Sequence, residues 1–227
     1  LIVTTEAVRL SVLRELARCG RHDIPALAAP LPVAPLFLTP CETPASPAPY
    51  CVVVGSIEPR KNHALLLRVW KDWAGEPPRL VIVGTPWRDA DRIMDQVAAD
   101  PRLRRSVVTV AGLTSPALRA LLQGACALLQ PSLVEGFGLP VIEALAVGTP
   151  VIASDQPSHR EAGGAFATYL DATDAEAWSA AIAAHLSGVQ RAGLAAHQPW
   201  DWDRYGAAVA PFIESVALLE QPQARLR

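Results

Sequence analysis

Five short, continuous apolar runs recur along this chain, and they restrict it to very few folds. They are CVVVG (51–55), LVIVG (80–84), VVTVAG (107–112), ALLQP (127–131) and PVIAS (150–154). A strand with one wet face alternates apolar and polar residues. Runs that are apolar throughout are strands buried on both faces of a parallel sheet. Helical patterns separate them. Asn62 is placed to cap HALLLRVWKDW, Ser115 with Pro116 to open ALRALLQGA, and Asp174 to start AEAWSAAIAAHL. Strands and helices alternating at this spacing predict an α/β domain, a Rossmann-like doubly wound parallel sheet.

That domain is expected over residues 50–199, with other pieces on either side. Residues 1–33 read as a strand (LIVTT), a helix (AVRLSVLRELARCG, stopped by Gly20) and a short extended exit. Eight of the 21 prolines fall between Pro25 and Pro49, so residues 34–49 read as a stiff linker without regular structure. Residues 200–227 read as a long amphipathic helix, Trp200 to Leu219, and a tail. A net charge of −2 offers no broad basic surface for nucleic acid. No apolar run approaches the roughly 18–20 residues of a membrane-spanning helix. The four cysteines show no paired spacing, and Cys51 and Cys126 sit in apolar runs, as thiols of a reducing, cytoplasmic compartment do. The chain opens with neither an initiator Met nor a signal peptide, as expected of a piece of a longer protein.

The residues with chemical potential follow the carboxyl ends of the predicted strands: Ser56 to Lys61, Thr85 to Trp87, Gly112–Leu113, Ser132 to Gly138 and Ser154–Asp155. In open α/β sheets ligands bind at that edge. The densest segment is EGFGLPVIE, Glu135 to Glu143. Pro140 suits the first turn of a helix. Gly136 and Gly138 let a ligand approach the backbone, whose amides then face it. Glu143 is expected in the first turn of that helix, where side chains tilt back toward Glu135. A backbone anion site flanked by two carboxylates suits phosphate oxygens in the middle and sugar hydroxyls on either side. On residue type alone, Arg60 and Lys61 are equally a solvated loop pair, Glu143 a helix-dipole partner and Glu135 a polar loop residue. His63 reads as a helix-start residue, and the six tryptophans as packing.

The stretch PSLVEGFGLPVIEALAVGTPVIAS (131–154), preceded by VGSIEPRKNHALLL (54–67), resembles the retaining glycosyltransferases of the GT-B fold, the family 4 type or glycosyl transferase group 1. Their pattern sets two glutamates with seven residues between them. The resemblance runs from about residue 50 to about 185. It implies that the chain is the C-terminal, donor-binding half of a GT-B fold. Residues 1–33 would then be the tail of an N-terminal domain that supplies the acceptor site, and the last helix would cross back to that domain.

Residue by residue, the resemblance implies Glu135 as the catalytic glutamate beside the transferred sugar, with Gly136, Phe137 and Gly138 around that sugar. Arg60, Lys61 and the amide of Leu139 would hold the donor diphosphate, Glu143 the ribose, and Thr85, Gly112 and Leu113 the base. Two positions depart from the pattern. Ser56 stands where many members have a phosphate-binding arginine, whose place Arg60 is expected to take, and Ala165 replaces an acid after Gly163–Gly164. No cofactor is implied. No metal is expected either, because the five histidines lack ligand spacing and no DxD-type pair ends a strand.

The implied function is transfer of a hexose from GDP-mannose or a UDP-sugar to a glycan or lipid-linked acceptor, in polysaccharide biosynthesis. Peripheral contact with the inner membrane face goes with a lipid-linked acceptor. Little turnover is expected of the chain without its N-terminal domain. The alternative from another class is a non-catalytic nucleotide-sugar-binding or docking module. A glycosidase carboxylate pair fits less well, because it gives a helix-terminal anion site no purpose.

Overall fold

All five apolar runs are strands in the computed structural model, which describes residues 1–39, 49–87, 89–186 and 197–219. The chain begins with β1 (Ile2–Val3), α1 (Glu6–Arg18) and β2 (Leu27–Ala28), the two strands pairing in parallel as a separate sheet. One helical turn follows, α2 (Pro35–Leu38), with proline at its start and Phe37 buried. Regular structure therefore enters the proline-rich stretch, because a proline at the first helical position loses no hydrogen bond. The rest of that linker (40–48), Cys41 and the tail beyond Leu219 lie outside the described residues.

The main body then alternates: β3 (Tyr50–Val54), a 3₁₀ turn (Pro59–Lys61), α3 (His63–Asp72), β4 (Arg79–Val83), α4 (Ala90–Ala99), α5 (Pro101–Ser106), β5 (Val107–Val110), α6 (Ser115–Gly124) and β6 (Ala127–Gln130). It continues through α7 (Leu139–Ala146), β7 (Val151–Ser154), α8 (Pro157–Gly163), β8 (Ala167–Leu170), α9 (Ala175–Leu186) and α10 (Trp202–Leu219). The six strands are all parallel, in the order β5-β4-β3-β6-β7-β8. The chain winds outward from β3 to one edge, then returns to the middle at β6 and winds to the other. The switch lies between β3 and β6, which places a crevice beyond their carboxyl ends.

Burial on both faces explains the unbroken apolar runs. Cys51, Val53, Leu80, Ile82 and Leu129 join one core cluster with Leu66, Trp70, Trp178 and Ile182 from α3 and α9. Val52, Leu128, Val151 and Ala153 join the other, with Leu122, Val141, Ile142 and Leu145 from α6 and α7. Trp70 and Trp178 are fully buried, and each indole N–H donates to a carbonyl, of Pro78 at 2.8 Å and of Asp171 at 2.9 Å. Trp87 and Trp202 are exposed instead. Cys51 is buried, which pushes its thiol up, and Cys19, Cys51 and Cys126 are all free thiols.

Two expected caps fall elsewhere. Thr114, one residue before Ser115, caps α6 by accepting the Ala117 N–H at 3.4 Å. Asn62 sits in the left-handed region at φ 55° and does not cap α3. Its amide instead donates to the carbonyls of Pro131 (3.2 Å) and Ala172 (2.9 Å), tying three strand ends together. Asp174 behaves as expected and accepts the Ala177 N–H at 3.0 Å. Among the described residues no helix is long and apolar enough to cross a membrane.

Candidate functional site

The loops after β3 and β6 face one another across the switch point, and each contributes charge. Gly55 follows β3 with φ 144°. A Cβ there would meet Lys61 Cε at 3.0 Å and Nζ at 3.2 Å. Glycine at 55 thus leaves the space through which the Lys61 side chain runs. The Pro59–Lys61 turn then brings Arg60 and Lys61 beside the second loop, and the Leu133 N–H donates to the Arg60 carbonyl at 2.8 Å.

Glu135 is the centre of the site. One carboxylate oxygen takes the Lys61 ammonium in a short ion pair, the Ser132 hydroxyl at 2.8 Å and the Gln130 amide at 3.1 Å. The other takes Arg60 Nη1 at 3.1 Å. Arg60 also pairs with Glu58 at 2.9 Å, and Glu58 accepts from Ser56. Lys61 is only 8% exposed. Burial pushes the Glu135 carboxyl up, but Lys61, Ser132 and Arg60 together outweigh it and hold the group below the ordinary carboxylate range. Ser56, Glu58 and Arg60 thus form a chain of contacts leading to Glu135.

The glycine loop continues from Glu135 into α7. Gly138 has φ 109°, and a Cβ there would lie 3.4 Å from the His159 ring and 3.6 Å from Ala162. Phe137 is buried in the core and anchors the loop, while Leu139 is exposed at the first position of the helix. The N–H groups of Gly136, Phe137, Gly138 and Leu139 have no acceptor among the described residues. Such amides at a helix N-terminus form an anion site. Glu143 is half-buried on α7, just past its first turn instead of in it because the helix starts at Leu139; its carboxyl has no hydrogen-bond or ion-pair partner among the described residues, and burial pushes it up to about 7.

The structure thus joins Arg60, Lys61, Glu135 and Gly136 to Leu139 in one place. Thr85 is close by in the chain fabric, since its carbonyl accepts the Ile57 N–H at 3.0 Å. Gly112 and Leu113 follow β5 at the sheet edge, with β4 between β5 and the strand, β3, whose loop carries Arg60 and Lys61. Among the described residues no group of three or more His, Cys, Asp or Glu side chains could hold a metal ion.

Several residues that support the site were given no ligand role from the sequence. Gln130 and Ser132 are buried beneath Glu135, and Gln130 is the one polar residue of its strand. His159 is fully buried behind Gly138, with Nδ1 3.0 Å from the Ser154 carbonyl oxygen; burial lowers its pKa. Ser158 donates to the Glu135 carbonyl at 2.8 Å, and Gln156 accepts the Glu135 N–H at 3.3 Å. Thr4 and Thr5 both donate to the Gly136 carbonyl, at 2.9 and 3.1 Å. The Glu161 carboxylate caps α1 by accepting the N–H groups of Glu6 (2.6 Å) and Ala7 (2.9 Å). His63 opens α3, fully buried with both ring nitrogens unpartnered; burial, then Lys61, lowers its pKa to about 4.

Comparison with known proteins gives a consistent picture. The family model described as glycosyl transferases group 1 matches residues 42–194. The chain is 33% identical over 133 residues to the O-antigen chain mannosyltransferase RfbU of Salmonella typhimurium, covering 59% of this chain and 37% of that protein. It is 28% identical over 162 residues to the O-antigen chain mannosyltransferase B of Escherichia coli, covering 68% of this chain and 42% of that one. The chain thus spans less than half the length of these curated relatives. In fold it is similar to HepE of Anabaena, solved with UDP and glucose, at TM-score 0.77 and 16% identity over 94% of this chain and 62% of that one.

Proposed function

The chain belongs to the group 1 glycosyl transferases, and from that premise we propose that it is the donor-binding part of a retaining, family 4 type glycosyltransferase. It moves a hexose from a nucleotide-diphosphate sugar to a glycan or lipid-linked acceptor in polysaccharide synthesis. Relatives named as mannosyltransferases favour mannose, and with it GDP-mannose, over a UDP-linked sugar. The observation that carries the reading is the meeting of Arg60, Lys61 and Glu135 beside the acceptor-less amides of Gly136 to Leu139.

The donor leaves as a nucleoside diphosphate, so charge grows on its phosphates. Two fixed cations and a helix N-terminus stabilise that charge in place. The Glu143 carboxylate, without a partner among the described residues, accepts hydrogen bonds from the two ribose hydroxyls. Glu135 faces the sugar and its developing positive charge. Thr85, Gly112 and Leu113 border the base. Residues 1–33 are the tail of an N-terminal acceptor domain, and residues 50–199 the donor domain. Work on the cytoplasmic side, with peripheral contact to the inner membrane face, belongs to the same reading.

Calorimetric titration of the chain with GDP and UDP in EDTA tests it. The expected result is metal-free binding that weakens roughly tenfold in Glu143→Ala, the size of a lost charged hydrogen bond. No binding of either nucleotide to a demonstrably folded chain would overturn it.

A further inference from the structure

We propose that Glu135 works against donor affinity: it compensates the charge of Arg60 and Lys61, so that a nucleoside diphosphate is held loosely enough to leave after transfer. The inference rests on the donor-site reading above. Its ground is a charge count within the cluster. Arg60 and Lys61 supply two positive charges, Glu58 and Glu135 two negative ones, and three ion pairs join them in a row, Glu58–Arg60–Glu135–Lys61. The charge of the cation pair is therefore largely compensated before a phosphate arrives, which weakens its attraction without abolishing it.

Neither side of the central pair can relax away. The Lys61 side chain lies along Gly55, in the space a Cβ would fill, and is almost fully buried. Glu135 is held by the Ser132 hydroxyl, the Gln130 amide and both cations. A diphosphate must share Lys61 with a fixed carboxylate, and it feels that carboxylate as a like charge. At an effective dielectric of about 20, one like charge beside a phosphate is worth roughly tenfold or more in affinity. Attraction then comes from the loop amides, the helix terminus and the part of the Arg60 and Lys61 charge that the two glutamates leave uncompensated. Glu135 thus trades affinity for release of a leaving group that is also the product.

The prediction has an unusual sign: removing a residue of the site strengthens binding. Titration of the chain with GDP, UDP and inorganic pyrophosphate should give a Kd at least roughly tenfold lower in Glu135→Gln than in wild type, with steeper salt dependence. Glu58→Gln, which frees only the exposed Arg60, should tighten binding less. In Lys61→Met/Glu135→Gln the gain should vanish. Unchanged or weaker pyrophosphate binding by folded Glu135→Gln would overturn the inference, even if wild type binds GDP. Tighter pyrophosphate binding without any nucleotide binding would uphold it and sink the nucleotide-sugar reading instead.

Discussion

Two glutamates eight positions apart in one segment live in opposite surroundings. Glu135 lies among two cations, a hydroxyl and an amide and is held ionised. Glu143 lies one helical turn into α7, its carboxyl without a partner among the described residues, and burial alone lifts it to about 7. A carboxylate answered from within the protein is already neutralised, whereas an unanswered one is poised for something from outside. Spacing alone cannot tell these cases apart; partners do.

The strongest way to break the contrast is Lys61→Met, which takes from Glu135 its buried cation and leaves only the exposed Arg60 and two neutral donors. Loss of one member of a buried pair should cost about 3–5 kcal/mol, measured by urea unfolding at pH 7. Glu135→Gln in the same chain should recover much of that loss, because the two positions are coupled. The pairing of Glu135 contributes stability above the carboxylate range that is lost as pH falls through its lowered pKa. In Lys61→Met that acid loss should shrink.

Ser132→Ala should act in the same direction with about 1.5–3 kcal/mol, the value of a hydrogen bond to a charged group, read from the same unfolding curves. Glu143→Gln sharpens the contrast from the other side. Because burial raises the Glu143 carboxyl, wild type loses stability as pH rises from the unfolded range near 4.5 through about 7. The variant should therefore be more stable than wild type by roughly 1–2 kcal/mol at pH 8, discounted for partial solvation, and no more stable at pH 4. Between the two glutamates, Gly138→Ala should cost about 1 kcal/mol for its positive φ, visible as a lowered Tm. It should also weaken GDP binding by displacing the loop.

What could be read from the sequence follows from how local its cause is. The central strands were legible because burial on both faces leaves Val, Leu and Ile without interruption. β8, with the half-buried sequence ATYL at the sheet edge, carries no such signal and was not expected. Nor were α4 and α5, which pack on α3 with few fully buried residues. Arg60, Lys61 and Glu135 stood out individually, yet their pairing spans 74 to 75 positions and is fixed by the β3–β6 switch. The same applies to Asn62, whose amide bonds reach 69 and 110 positions ahead instead of capping its own helix. Gln130 carried a usable signal, a lone amide closing a buried strand. Thr4, Thr5 and Glu161 carried none, since what they touch lies more than 130 positions away.

That last set of contacts makes the first helix and the glycine loop thermodynamic neighbours. The Gly136 carbonyl is held by Thr4 and Thr5, and the first amides of α1 are held by Glu161. Reciprocity then applies: whatever steadies the loop steadies the start of α1 by the same factor, and whatever dislodges α1 loosens the loop equally. The amides of Glu6 and Ala7 are therefore remote reporters, and their hydrogen-exchange protection should rise when a ligand settles on Gly136 to Leu139. An element that engages α1 from its outer side would be heard at the glycine loop without touching it.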